Sequence, residues 1–229
     1  MTMKRRDEPV QAGAREGRRR LTRPTRGAKA PGRPVVTAAF AMSWDGRVME
    51  QLAPAEPVDA ELHEAEAAHK SYRPYKSYGG MRVLLSTTGR IRTGAGFYLE
   101  KASQVMVYST DRMPGTTQRA LAGMQHVRVH LRAEGWPIRE VLEHLRATHG
   151  VRRVGIAGGP KLLRELAAGG LLDELCLAWR PMILGGKFAP AITGLEEGFL
   201  PRGIVLDLLK LERKDDGCRV RYRVHAAQP

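Results

Sequence analysis

The order of apolar runs and helical periods predicts an α/β domain. Its mostly parallel sheet carries helices on both faces and closes with an antiparallel C-terminal hairpin. Two observations carry this expectation. Residues 151–186 read strand, glycine turn, helix, strand, glycine loop, which is the repeating unit of a parallel sheet. Two β-patterned runs, 204–211 and 219–225, then follow on either side of Asp215-Asp216-Gly217, and Asp-Gly between such runs signals a hairpin.

The elements follow in order. Residues 35–42 form a continuous apolar run that reads as a buried strand, ended by the turn Ser43-Trp44-Asp45-Gly46. Pro57-Val58-Asp59 is the expected start of a helix reaching to about His69, with Asp59 as N-cap. A tyrosine-containing loop spans 71–80, a strand spans 81–86, and Thr87-Thr88-Gly89-Arg90 turns. Gly94-Ala95-Gly96 lacks the third glycine of a dinucleotide fingerprint and reads as a loop. Strands are expected at 104–109 and 127–131, around a short helix from Pro114 to about Met124. Residues 136–148 place Ile138, Val141, Leu142 and Leu145 on one helical face, and Gly150 supplies a left-handed C-terminal cap.

Length favours one domain, and no apolar run approaches the roughly 20 residues of a membrane helix. Cys176 and Cys218 are the only cysteines and form no metal or redox motif, so a reducing cytoplasm is the expected compartment. The seven histidines show no zinc spacing, and no metal site is expected. Net charge is +14, of which residues 1–33 hold +8, from eleven basic and three acidic side chains. With almost no large apolar residues, this segment reads as a disordered basic tail preceding a domain at 34–229. The tail is either a solvated extension or a non-specific nucleic-acid contact; no aromatic residues interleave its charges as a stacking surface requires.

Candidate site residues cluster at strand ends, where ligands of open parallel sheets lie. Gly158-Gly159-Pro160 joins a strand to the helix beginning Lys161-Leu162, the arrangement that offers backbone N–H groups to a phosphate. Thr87, Thr88 and Arg90 offer hydroxyls and a guanidinium, while Ser43, Asp45, Gly46, Gly185 and Gly186 complete the set. Each of these turns is also explicable as structure alone, and Asp173-Glu174 reads as capping. No catalytic nucleophile stands out. Hydride transfer from a nicotinamide needs only cofactor and substrate held face to face near a proton source, which such a set can supply.

Arg33-Pro34-Val-Val-Thr and Ala41-Met42-Ser43-Trp44-Asp45-Gly46-Arg47 resemble the opening motif of the RibD C-terminal reductase family. Ala157-Gly158-Gly159-Pro160, the run Leu171-Leu172-Asp173-Glu174-Leu175 and the run from Pro181 to Leu184-Gly185-Gly186 resemble its later motifs in the same order. The resemblance covers about 34–225. It implies a dihydrofolate-reductase-like fold, NADPH as hydride donor, a homodimer, and reduction of a pyrimidine- or pteridine-like molecule. The best-known relatives are 5-amino-6-(5-phosphoribosylamino)uracil reductases of riboflavin biosynthesis.

Carried over by position, Gly158, Gly159, Pro160, Lys161 and Leu162 meet the cofactor phosphates, and Thr87, Thr88 and Arg90 lie near the adenosine ribose. Ser43, Asp45 and Gly46 face substrate and nicotinamide, with Asp45 as the catalytic residue and Gly185 and Gly186 closing that end. The zinc-deaminase signature is absent. The family normally places both a helix and a buried strand between the Asp-Gly turn and the strand here at Met81. Residues 49–80, read as above, hold only a helix, so a central strand is expected to be missing. The family's glutamate before the paired glycines is Ala157 here. A catalytically silent scaffold or dimer partner, and a nucleic-acid-associated protein acting through residues 1–33, stand as the alternatives.

Overall fold

A computed structural model describes residues 32–64, 80–91, 104–186, 191–192 and 203–226. Residues 1–31 of the basic segment 1–33, residues 71–79 of the tyrosine loop 71–80, and Gly94-Ala95-Gly96 lie outside the described residues. Thirteen elements are present among them: β1 (Val35–Met42), β2 (Val48–Gln51), β3 (Ala60–Glu64), β4 (Met81–Leu85), β5 (Val105–Thr110), α1 (Gly115–Ala122), β6 (Val127–Arg132), α2 (Ile138–His149), β7 (Arg153–Ile156), α3 (Pro160–Ala168), β8 (Glu174–Trp179), β9 (Ile204–Lys214) and β10 (Gly217–Ala226). They build one ten-stranded sheet in the order β6-β5-β4-β3-β7-β1-β8-β10-β9, with β2 added beside β1. Strands β6 through β8 in this order run parallel, while β10 pairs antiparallel with both β8 and β9, and β2 pairs antiparallel with β1. The mostly parallel sheet closed by a hairpin is thus present, and Asp215 at φ 52° makes its turn.

β1 is central because its side chains suit nothing else. Seven of its eight residues are buried, as a strand covered on both faces requires. Val36, Ala38, Phe40 and Met42 join a core cluster with Leu142 and Leu145 of α2 and Leu162, Leu163 and Leu166 of α3. The opposite face of β4, β5 and β6 offers Leu84, Val105, Val107 and Val127 to Leu121 of α1. Among the described residues, helices therefore cover both faces, two on one side and one on the other. Gly150 ends α2 at φ 66°, the left-handed cap anticipated from its position.

One element departs from the sequence reading. The helix expected from Asp59 is a strand: β3 pairs in parallel with β7 on one side and β4 on the other, and residues 65–69 lie outside the described residues. The central strand expected to be missing is therefore present. The run Ala-Glu-Leu-His-Glu has helix-forming composition, but a slot between two strands leaves two rows of backbone groups to pair, and that outweighs propensity. Asp59 serves the sheet rather than a helix, accepting from Arg152 N (2.7 Å) and Arg153 N (3.0 Å) at the start of β7. β2 was not anticipated at all. Its four residues, two exposed and two half-buried, leave no periodic signal.

β3 buries Glu61 and His63 on the face opposite Leu62, beside Arg82 of β4. His63 Nε2 lies 3.5 Å from Glu61. Burial outweighs that carboxylate and pushes the His63 imidazole below its ordinary value. His130, stacked on Tyr108 at 4.8 Å, and His149 are lowered for the same first reason, with His144 adding repulsion. Each therefore binds a proton less readily folded than unfolded, and stability held above the unfolded histidine range is lost as pH falls through it. The urea midpoint should fall between pH 7.5 and pH 5.5. A flat profile would show that these imidazoles are not held neutral by the fold.

Candidate active site

The parallel strands β4, β3, β7, β1 and β8 end on one edge of the sheet, and the candidate residues occupy the turns that follow four of them. β1 and β7 pair only from Val35↔Arg153 to Thr37↔Gly155. Beyond that point β2 takes the place beside β1, at Phe40 to Met42. Gln51 of β2 donates from Nε2 to the carbonyl of Ile156, tying the wedge to the end of β7. The chain leaves β7 through α3 toward the main core. It leaves β1 through β2 toward the other face, where Pro54 and Val58 lie against Gly155. Strand ends that part with their connections on opposite faces form the crevice in which open α/β sheets bind ligands.

At the β1–β8 end, the turn after β1 and the loop after β8 are stitched together. Asp45 is the knot. Its Oδ1 accepts from Ser43 Oγ (2.6 Å) and Leu184 N (3.1 Å), and its Oδ2 accepts from Gly185 N (2.8 Å). Arg47 Nε adds an ion pair at 3.8 Å. Trp44 N donates to Met182 O (2.7 Å), and Arg47 N donates to Ser43 Oγ (3.0 Å). Donors aimed at the ionised form favour it: the Ser43 hydroxyl first and then the Leu184 amide hold the Asp45 carboxyl down to about 2. Asp45 is therefore a carboxylate at neutral pH, an acceptor rather than an acid. Gly185 and Gly186 take φ 62° and 85°, left-handed values that let the loop bend back toward it. Trp44, Ile183 and Leu184 stand exposed around this knot, with Trp44 edge-on to Trp179 at 6.2 Å.

At the β7 end, Gly159 is the N-cap of α3 and Pro160 its first residue. Gly158 packs closely under Leu162: a Cβ there would lie 2.5 Å from a methyl of Leu162 and 3.2 Å from its Cβ, so the leucine would have to shift for any larger residue. A Cβ on Gly159 meets only open space. That side is accessible to a ligand. Leu162 itself is buried in the main core, so only its backbone is available to a ligand. Lys161 reaches Glu64 at the end of β3, Nζ to Oε1 3.5 Å. Ala157 donates its N–H to Leu62 O (2.8 Å), joining the glycine turn to β3.

At the β4 end, Thr87, Thr88 and Arg90 are exposed around a turn closed by Gly89 N to Ser86 Oγ (3.0 Å) and Arg90 N to Thr88 Oγ1 (3.2 Å). Direct contacts thus join Ser43 and Asp45 to Gly185, and the Gly158 turn to β3. The Thr87 turn shares their edge without touching either group in the contacts described. Gly46 and Gly186 flank the knot. Asp173 and Glu174 lie at the other edge in structural pairs: Asp173 holds Arg33 (2.7 and 3.0 Å) and Val36 N (2.8 Å), and Glu174 holds Arg153 and Arg221. Sequence reading passed over Gln51 and the buried Glu61–His63 pair. Alternation of Ala60 and Leu62 with Glu61 and His63 was the available signal for the pair, masked by helix-forming composition.

Several solved structures share this fold. RibD of Acinetobacter baumannii aligns at a TM-score of 0.64 with 20% identity, over 85% of this chain and 59% of that one. A pyrimidine reductase-like protein from Corynebacterium diphtheriae aligns at 0.63 with 18% identity, over 84% and 92%. The riboflavin biosynthesis reductase Rib7 of Saccharomyces cerevisia aligns at 0.61 with 16% identity, over 86% and 92%. At these identities the likeness is one of fold. No match was found among curated protein sequences. The model of the RibD C-terminal domain matches residues 57–218, well over half of the sequence, and the chain belongs to that family.

Proposed function

We propose that the chain is an NADPH-dependent reductase of a pyrimidine- or pteridine-like small molecule, related in chemistry to the uracil reductases of riboflavin biosynthesis, and that it works in the cytoplasm as a homodimer. One observation carries the reading. A helix N-terminus with an unobstructed N-cap glycine and a carboxylate-knotted glycine loop stand at the parting ends of β7 and β1. NADPH, when bound, supplies the hydride. The residues fit such a group: the open Gly159 side and the N-terminal amides of α3 suit phosphate. The exposed hydroxyls and guanidinium of Thr87, Thr88 and Arg90 suit the adenosine ribose and a 2′-phosphate. Lys161, near the same turn, adds positive charge.

Asp45 works in this reading by position and field. Its ionised carboxylate fixes Leu184 and Gly185 beside the Ser43 turn, so the apolar rim of Trp44, Ile183 and Leu184 is set before a ring arrives. Ser43 is buried and already donates to Asp45, so its hydroxyl orients the carboxylate. A second reading has one observation in its favour. Ala157 stands where the family carries glutamate, so a rim carboxylate is absent there, and the chain in that case is a silent scaffold. Of residues 1–33, on which a nucleic-acid role rests, 1–31 lie outside the described residues.

NADPH titration followed by intrinsic fluorescence separates the two readings. Trp44 and Trp179 border the proposed nicotinamide end and should quench saturably, with weaker response to NADH. No response from folded protein would favour the scaffold. Gly159→Asp places a carboxylate where phosphate is proposed and should weaken NADPH binding about tenfold or more; unchanged affinity would remove this turn from the site. Asp45→Asn should lower turnover of the ribosylaminopyrimidine about 100-fold through loss of positioning, with NADPH affinity nearly retained. Full turnover in that variant would exclude the positioning role.

A further inference from the structure

The two loops at the Asp45 end satisfy one another's polar groups. Trp44 N donates to Met182 O (2.7 Å), Met182 N to Arg180 O (2.8 Å), Gly46 N to Ser43 O (3.0 Å) and Arg180 N to Met42 O (2.8 Å). Asp45 takes the amides of Leu184 and Gly185. Much of what these loops present outward is apolar: Trp44 is 70% exposed, Ile183 74%, and Met182 and Leu184 47% each. Large apolar side chains left in water together, beside a crevice, mark a binding surface rather than scattered surface residues. We propose that Trp44 is the platform on which the substrate ring stacks, and that it sets a preference for two fused rings of the pterin kind over a single pyrimidine ring.

This inference rests on the reductase reading and narrows its substrate. Trp179, half-buried against the main core, meets Trp44 edge-on at 6.2 Å with an interplanar angle of 68°. Trp44 is thus tied at its backbone to Met182 and braced at its ring by Trp179, while most of its surface stays open. A platform fixed before the ligand arrives loses little freedom on binding. Stacking grows with the area of overlap, and an indole is itself two fused rings. A ligand of two fused rings covers its face, whereas a single six-membered ring leaves part of it in water. Ile183, Met182 and Leu184 extend the apolar surface beyond the indole, which again suits the larger ring. Charge acts alongside area. Asp45 is ionised and its side chain is 27% exposed, so it repels an anionic ring and favours a neutral one bearing N–H groups. A neutral fused ring with an amino edge meets both conditions.

Calorimetric titration of the full chain, with and without NADPH, compares pterin with triaminopyrimidinone. The two share an amino-oxo edge, are uncharged near neutral pH, and differ in the second ring. Pterin should bind about tenfold more tightly. Trp44→Ala should erase most of that difference, mainly by weakening pterin, and Trp44→Phe, a one-ring platform, should fall between. Trp44 is exposed, so these variants leave the core intact, and circular-dichroism melts confirm that each is folded. Equal affinities in the wild type, no binding of pterin, or a preference that survives Trp44→Ala would overturn the proposal. A Trp44→Ala protein whose sedimentation changes while the preference remains would identify the patch as a protein contact and overturn it as well. NADPH binding is read separately. If NADPH binds and the chain shows no ring preference, the platform falls and the cofactor site stands. If the preference depends on Trp44 and NADPH does not bind, the platform stands and the reductase reading falls.

Discussion

The structure depends on β1 being paired along its length on both sides. Its first half meets β7 and its second half meets β2 on one flank, while β8 accompanies Thr37 to Met42 on the other. A strand buried on both faces has no water for its amides and carbonyls, so every neighbour must supply the right backbone group at the right height. Asp173 enforces this at the start: it receives Val36 N and Arg33 through its side chain and donates its own N–H to Val36 O. Once β1 is placed, the direction of β3, β4, β7 and β8 follows from parallel pairing. Their turns then share one edge.

The same constraint explains why two kinds of charge occur around the sheet. Glu56 and Glu174 contact Arg153 and Arg221 where the 52–58 segment crosses the face opposite the main core. These pairs balance one another and hold polar backbone crossings in place. Asp45 differs. It is surrounded by amide and hydroxyl donors, and among the described residues the cation paired with it, on Arg47, stands at 3.8 Å. A carboxylate solvated by backbone dipoles keeps its charge while fixing two loops that are far apart in sequence.

Much of this was legible along the chain. Long apolar or periodic segments such as 35–42, 138–149 and 204–211 carry their type in their spacing, and the hairpin at Asp215-Asp216-Gly217 carries its own turn chemistry. The strand and turn pattern set Asp45, Thr87, Gly158 and Gly185 at strand ends on one edge, and they follow β1, β4, β7 and β8 in the sheet. β3 was not legible because Ala, Glu, Leu and His favour a helix when nothing competes. The slot between β4 and β7 competes, and five residues of local preference cannot resist two ladders of hydrogen bonds.

By itself the sequence determined periodicity, turn chemistry and charge: which runs are strands or helices, where they stop, and that glycines follow two of the strands. Those are properties of neighbours a few residues apart, so they survive in one dimension. Tertiary structure alone decided that Asp45 bonds Leu184 and Gly185, that Leu162 leans over Gly158 and would have to give way to a larger residue there, and that a bulge at Leu209 changes which face of β9 each residue takes. Each of those depends on the distance between groups brought together by the sheet. Strand order and register set that distance, and no local pattern encodes them.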